Sequence, residues 1–154
     1  MSFDLSVISN KNILLAVTGG IAAYKSAILV RRLKDAGFNV RVVMTEGAQA
    51  FITPLTFQAL SGNPVHTQLL NPEAEAGMGH IELARWADLL LVAPASCDSL
   101  AKFAAGLADD LLSTLYLATK APVWVAPAMN QQMWAAKATQ RNLQTLIEDG
   151  MHVI

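Results

Sequence analysis

Short, nearly unbroken apolar runs recur along the chain, separated by stretches in which apolar and polar positions sort onto opposite sides of a helix. The runs fall at 13–17 (ILLAV), 40–44 (VRVVM), 89–93 (LLLVA), 123–126 (VWVA) and 152–154, with a weaker one at 64–68. Runs without polar alternation suit strands covered on both faces, as in a parallel sheet. Between the first two, residues 21–36 put Ile21, Ile28, Leu29 and Leu33 on one side and Arg31, Arg32, Lys34 and Asp35 mostly on another. Gly37 follows, where a left-handed helix cap is wanted. Further helices are predicted at 54–60, 80–86, 100–105, 110–118 and 131–149. The alternation of strand and helix reads as a three-layer αβα, Rossmann-like α/β domain. Its sheet is expected to be mostly parallel and six-stranded, with right-handed crossovers.

Ligands of such domains bind beyond the carboxyl ends of the strands, where the strand order reverses. The first of those ends reads VTGGIAAYKS (17–26). A nucleoside-triphosphate loop needs glycine before the Lys-Ser pair, where this chain has Tyr24, and a dinucleotide fingerprint needs three spaced glycines instead of the adjacent Gly19 and Gly20. The pair still permits a sharp turn and leaves room for a phosphate at the opening of the next helix. A tight turn holding no ligand explains it equally well. Thr45, after the second strand, reads as a helix cap or a ligand contact, and Phe51 as a core or a stacking residue. Ser96 and Ser99 flank Asp98 after the third long run; they can cap a helix or offer neutral donors to phosphate or ring oxygens. Asn130 follows Pro127-Ala128-Met129 at a helix start and is either an N-cap or a binding carboxamide. His80, after Gly77-Met78-Gly79, has a plain surface reading beside a catalytic one. No grouping has metal-ligand spacing, and no Ser-His-Asp order is legible.

Composition narrows the class. Hydrophobic residues are 53% of the 154 and charged ones 15%, more apolar surface than a monomer needs, and an oligomer interface is one outlet for it. A formal charge of −1 without a basic run argues against nucleic acid as a partner and gives no support for an anionic membrane. Cys97 is the only cysteine, so an internal disulfide is excluded and a reducing, cytoplasmic location is expected. In that loop it reads as a small packing residue. The first ten residues lack the pattern of a signal peptide, and no apolar run approaches the roughly 20 residues of a membrane span.

Four motifs together, GGIAAYK (19–25), MGHIEL (78–83), PAS (94–96) with AAGLADDL (104–111), and PAMNQQMW (127–134), resemble the homo-oligomeric flavin-containing cysteine decarboxylases. The likeness is greatest to the branch that decarboxylates phosphopantothenoylcysteine in coenzyme A biosynthesis, where decarboxylase and ligase halves share one chain. It implies FMN, whose single phosphate requires neither the Walker glycine nor the third Rossmann glycine. By resemblance, Gly19, Gly20, Ile21, Thr45, Phe51, Ser96, Ser99 and Ala126 lie against the cofactor. His80 matches the catalytic histidine, Asn130 the asparagine that engages the substrate carboxylate, and Met129 adds a substrate contact. Cys97-Asp98-Ser99 departs from the family's usual residues in that loop.

The resemblance also implies a mechanism and an assembly. Losing CO2 from an N-acyl cysteine would leave a carbanion with nothing to delocalise it. Flavin oxidation of the thiol to a thioaldehyde gives the electron pair a C=S bond to enter, and return of the hydride makes the reaction redox-neutral. The expected partners are phosphopantothenoylcysteine and other copies of the chain, in a homotrimer with a dodecamer of four trimers as the larger form. The expected domains are a lead-in over 1–10 and an FMN-binding decarboxylase domain over 11–154, ending before the family's substrate flap and lacking the ligase half. A peptidyl-cysteine decarboxylase of the same superfamily and a flavin-binding regulatory subunit are the alternatives.

Overall fold

A computed structural model describes residues 11–69 and 78–154; the 1–10 lead-in lies outside them. Among the described residues the strands are β1 (Asn12–Val17), β2 (Asn39–Met44), β3 (Leu89–Ala95), β4 (Val123–Pro127) and β5 (His152–Val153). They form one parallel sheet in the order β2-β1-β3-β4-β5. The helices are α1 (Ala23–Asp35), α2 (Pro54–Ser61), α3 (His80–Trp86), α4 (Cys97–Ala105), α5 (Leu111–Ala118), α6 (Gln131–Ala135) and α7 (Lys137–Glu148), with a 3-10 turn at Gly47–Ala50.

Apolar residues pointing to both faces explain why the central strands read as continuous runs. Ile13, Leu15 and Val17 of β1 pack in one cluster with Ala23 and Val30 of α1 and Phe57 of α2. Leu14 and Ala16 pack in another with Leu83, Leu100, Leu115 and Leu146, from α3, α4, α5 and α7. Each face is thus closed by its own helical layer. The ends follow local chemistry: Gly37 (φ 97) terminates α1 and Gly106 (φ 71) terminates α4, conformations that cost glycine little. Asp110 and Ser113 form a reciprocal capping box at the start of α5, satisfying donors that an open helix end leaves unpaired.

Two expectations change. The sixth strand, expected at 64–68, contracts to a single parallel bridge, Val43↔His66, made by Met44 N–H to His66 O (2.9 Å) and His66 N–H to Val42 O (3.0 Å). The long helix expected over 131–149 is two helices, because Ala136 is extended (φ −58, ψ 138). The break is sealed by the Gln140 amide, which donates to Trp134 O at 2.6 Å.

Candidate functional site

From β1 the chain steps to β2 on one side and then crosses to β3 on the other, so the strand order reverses between β1 and β3 and a crevice opens at their carboxyl ends. Thr18, fully buried, joins the two loops there. Its hydroxyl donates to Pro94 O (2.6 Å) and accepts from Ser96 N–H (2.8 Å). Its own N–H also reaches Pro94 O at 3.3 Å. The loop that turns at Gly19 and the loop that opens α4 are therefore fixed to each other by one side chain. Ser26 of α1 adds a second tie, donating to Ala93 O at 2.7 Å.

Gly19 lies against the turn after β2. A Cβ there would meet the Gly47 carbonyl carbon at 3.1 Å, whereas one at Gly20 would meet nothing within 4 Å. The first glycine is needed for close backbone approach, and the second leaves open space above the turn. A cavity of about 870 Å³ adjoins them, walled by Gly19, Thr45, Gly47, Ser96 and Ser99, with Leu111 and Leu112 from α5 and Thr67, Gln68 and Leu69 beyond the bridge to β2.

The hydroxyls in this wall already have structural work. Thr45 Oγ1 accepts from Ala48 N–H (3.3 Å). Ser96 caps α4 by accepting from Ser99 N–H (3.1 Å) and donates to Ser99 Oγ (3.1 Å). A hydroxyl has one hydrogen and two lone pairs, so Thr45 and Ser99 each keep a hydrogen to offer an incoming acceptor. The cap and the ligand contact are compatible uses of the same residue.

One cation lies among the described wall residues. Lys102 Nζ is 3.7 Å from Asp98, 3.4 Å from Asp109 and 3.5 Å from Asp110, and Glu46 also lines the cavity. Burial pulls the Lys102 ammonium down, but the three carboxylates outweigh it and hold its pKa above the ordinary lysine value. Burial likewise pushes the Asp110 carboxyl up; the Ser113 hydrogen bonds and the Lys102 charge overcome this and leave it below the usual range.

Of the residues singled out from sequence, the cavity gathers Gly19, Thr45, Ser96 and Ser99 and does not include the others. Gly20 borders the same turn, while Ile21 and Phe51 project into solvent, 79% and 54% exposed. Ala126 is half-buried in β4, and the strand's exit is fixed to β3 by Ala128 N–H donating to Ala95 O at 3.1 Å. Met129 is half-buried against the larger core cluster. His80 is the half-buried first residue of α3. Asn130 caps α6, its Oδ1 accepting from Met133 N–H at 2.9 Å. That bond uses the amide oxygen and neither of the two amide hydrogens. Thr18 and Lys102 were missed as site residues. Only the i, i+4 spacing of Asp98 and Lys102 gave a local signal for the second.

A sequence model of the Flavoprotein family matches residues 4–154. This chain is a member of the Flavoprotein family. Within the family it is 60% identical over 149 residues to the "Coenzyme A biosynthesis bifunctional protein CoaBC" of Vibrio vulnificus strain YJ016, covering 97% of this chain. The chain spans 37% of that relative's length. Among solved structures, the "FMN-dependent Cysteine Decarboxylases SpaF" superposes with a TM-score of 0.87 at 34% identity, covering 96% of this chain and 85% of the other. A variant PPC decarboxylase complexed with pantothenoylaminoethenethiol superposes at 0.79 with 35% identity, covering 94% and 81%. The flavoprotein fold expected from the motifs is the fold found, and no helix among the described residues is long and apolar enough to cross a membrane.

Proposed function

We propose that this chain binds FMN at the β1–β3 crevice and is the decarboxylase unit that converts 4'-phosphopantothenoylcysteine to 4'-phosphopantetheine in coenzyme A biosynthesis. The observation that carries the reading is the cavity of about 870 Å³ at the carboxyl ends of the first three strands. It lies within the range of pockets that enclose a ligand of this size. The chemistry of its wall fits the group: open space at the adjoining Gly20, where an added Cβ would meet nothing within 4 Å, and hydroxyl hydrogens at Thr45 and Ser99 for phosphate or ring oxygens. Relatives and structural neighbours named for FMN, for cysteine decarboxylation and for coenzyme A biosynthesis support the same assignment.

When bound, FMN supplies a reversible acceptor for a hydride, which makes loss of CO2 from the cysteinyl carbon feasible. The chain's own residues position and move protons. The Asn130 amide donates to the substrate carboxylate without an ion pair. A full salt bridge would stabilise the charged ground state more than a transition state whose charge is leaving. His80 takes the thiol proton or orients the carboxylate. A free thiol has a pKa of about 8.5, so a neutral imidazole is a suitable base for it near pH 7.

His80 and Asn130 lie outside the walls of the cavity in one copy, and a site shared between copies of a homotrimer would unite them with the cofactor. Supporting this, Ile21, Tyr24 and Ile28 present an exposed apolar stripe along the start of α1, with Phe51 and Leu55 exposed after β2. Such side chains are candidates for burial against a second copy. Trimers associating further give the dodecameric form.

The test is the visible spectrum of the purified chain with FMN, before and after phosphopantothenoylcysteine is added. The reading expects a yellow protein that bleaches on addition. A colourless protein that takes up no FMN overturns it. A folded, FMN-loaded monomer at micromolar concentration in the analytical ultracentrifuge overturns the shared site.

A further inference from the structure

The cavity has a charge imbalance that its proposed ligand must meet. Asp98, Asp109, Asp110 and Glu46 border it, and Lys102 is the only cation among its described lining residues. A mononucleotide brings a further negative phosphate. A cavity of this volume is about 10 Å across, so no phosphate inside it can lie more than about a Debye length from the carboxylates. One ammonium among four carboxylates leaves the wall negative, and without Lys102 its repulsion of the ligand would be stronger still.

We propose that Lys102 is a positioning and specificity residue that helps this cavity accept a phosphorylated flavin, by pairing with Asp98, Asp109 and Asp110 and weakening their repulsion of the phosphate. Lys102 sits one turn after Asp98 on α4, and the left-handed turn at Gly106 brings Asp109 and Asp110 back beside it. Asp110 in turn caps α5, whose Leu111 and Leu112 line the cavity. One ammonium thus both ties the α4–α5 connection together and lessens the negative potential around it. The favoured charged state of this lysine, noted above, agrees with a permanent cation at this point. The inference rests on the flavin reading, and it states what shifts that site toward FMN relative to riboflavin, which has the same ring and polyol but no phosphate.

The experiment measures dissociation constants of the full chain for FMN and for riboflavin by quenching of flavin fluorescence, at low salt and in 0.5 M salt. Lys102→Met is expected to lower the preference for FMN over riboflavin by about fivefold or more at low salt, from unit charges interacting across roughly 10 Å. The loss should shrink at high salt and be restored by Lys102→Arg. Asp98→Asn, at a side chain 78% exposed, should raise the preference by about two- to threefold at low salt. A purely structural role for the cluster would not produce that opposite change. If Lys102→Met does not fold, the Asp98→Asn and Asp109→Asn preferences decide the question. An FMN preference unchanged within twofold in Lys102→Met, or lowered in the aspartate variants, overturns the inference while leaving the flavin reading intact. Wild-type chain that binds neither flavin overturns both.

Discussion

Replacing Thr18 by valine would test how the two ligand-facing loops are held in register. Valine keeps the shape of threonine and removes the hydroxyl. That hydroxyl donates to Pro94 O at 2.6 Å and accepts from Ser96 N–H at 2.8 Å, at a residue with no solvent exposure. The two losses are unequal. Pro94 O keeps the Thr18 N–H as a donor at 3.3 Å, so losing the hydroxyl there costs about 1 kcal/mol. Ser96 N–H has no other acceptor among the described residues, and stranding a donor of this kind costs about 1–3 kcal/mol. The total is about 2–4 kcal/mol, or a fall in Tm of roughly 5–15 °C for a chain of this length. Thr18→Ser keeps both bonds and loses one buried methyl, about 1 kcal/mol. Urea unfolding followed by circular dichroism gives both values. Thr18→Val within 0.5 kcal/mol of wild type, or Thr18→Ser as damaging as Thr18→Val, would refute the reasoning.

Three further outcomes follow from the geometry. His66 is buried, its Nε2 has no hydrogen-bond partner among the described residues, and burial followed by the nearby Arg41 charge lowers its pKa below 6.5. The unfolded chain therefore binds the proton more readily, so this contribution to stability is complete above about pH 6.5 and is lost as pH falls through the folded-state pKa. Urea midpoints at pH 7.5 and 5.5 should differ more for wild type than for His66→Asn. Gly19→Ala should cost about 1–3 kcal/mol through its clash with Gly47 and weaken FMN binding. Gly20→Ala should stay within about 0.5 kcal/mol; thermal melts and flavin titration compare the two. His80→Asn should retain FMN and lose about 100-fold or more in decarboxylation rate. Full turnover by that variant would remove His80 from the mechanism.

The sequence displayed the strand–helix rhythm because each central strand is apolar on both faces, a property local to the run. It displayed the glycine turn and the serine caps for the same reason. Thr18 escaped notice because its partners are Pro94 and Ser96, 76 and 78 residues away, and nothing in VTGG distinguishes a buried hydroxyl from an exposed one. The Lys102 cluster was half legible: Asp98 is one helical turn away, while Asp109 and Asp110 arrive only because the chain reverses at Gly106. The break at Ala136 carries no proline or glycine to announce it; its seal, from Gln140 to Trp134 O, appears only once the helices are in place. The segment at 64–68 has strand composition but makes just one bridge at the sheet's edge.

The strand order has a consequence for the lifetime of the protein. β1 and β2 carry one half of the chain and β3, β4 and β5 the other, and the sheet joins them along one seam, from Ile13↔Leu89 to Ala16↔Val92. A molecule lodged there would touch Gly19 and Thr45 on one side and Ser96 and Ser99 on the other, acting as a rivet through the seam. At about 100 times its Kd such a rivet adds roughly 2.7 kcal/mol against unfolding. Scarcity of the cofactor would then expose the chain to proteases as well as silence it, tying the abundance of the protein to the vitamin supply of the cell.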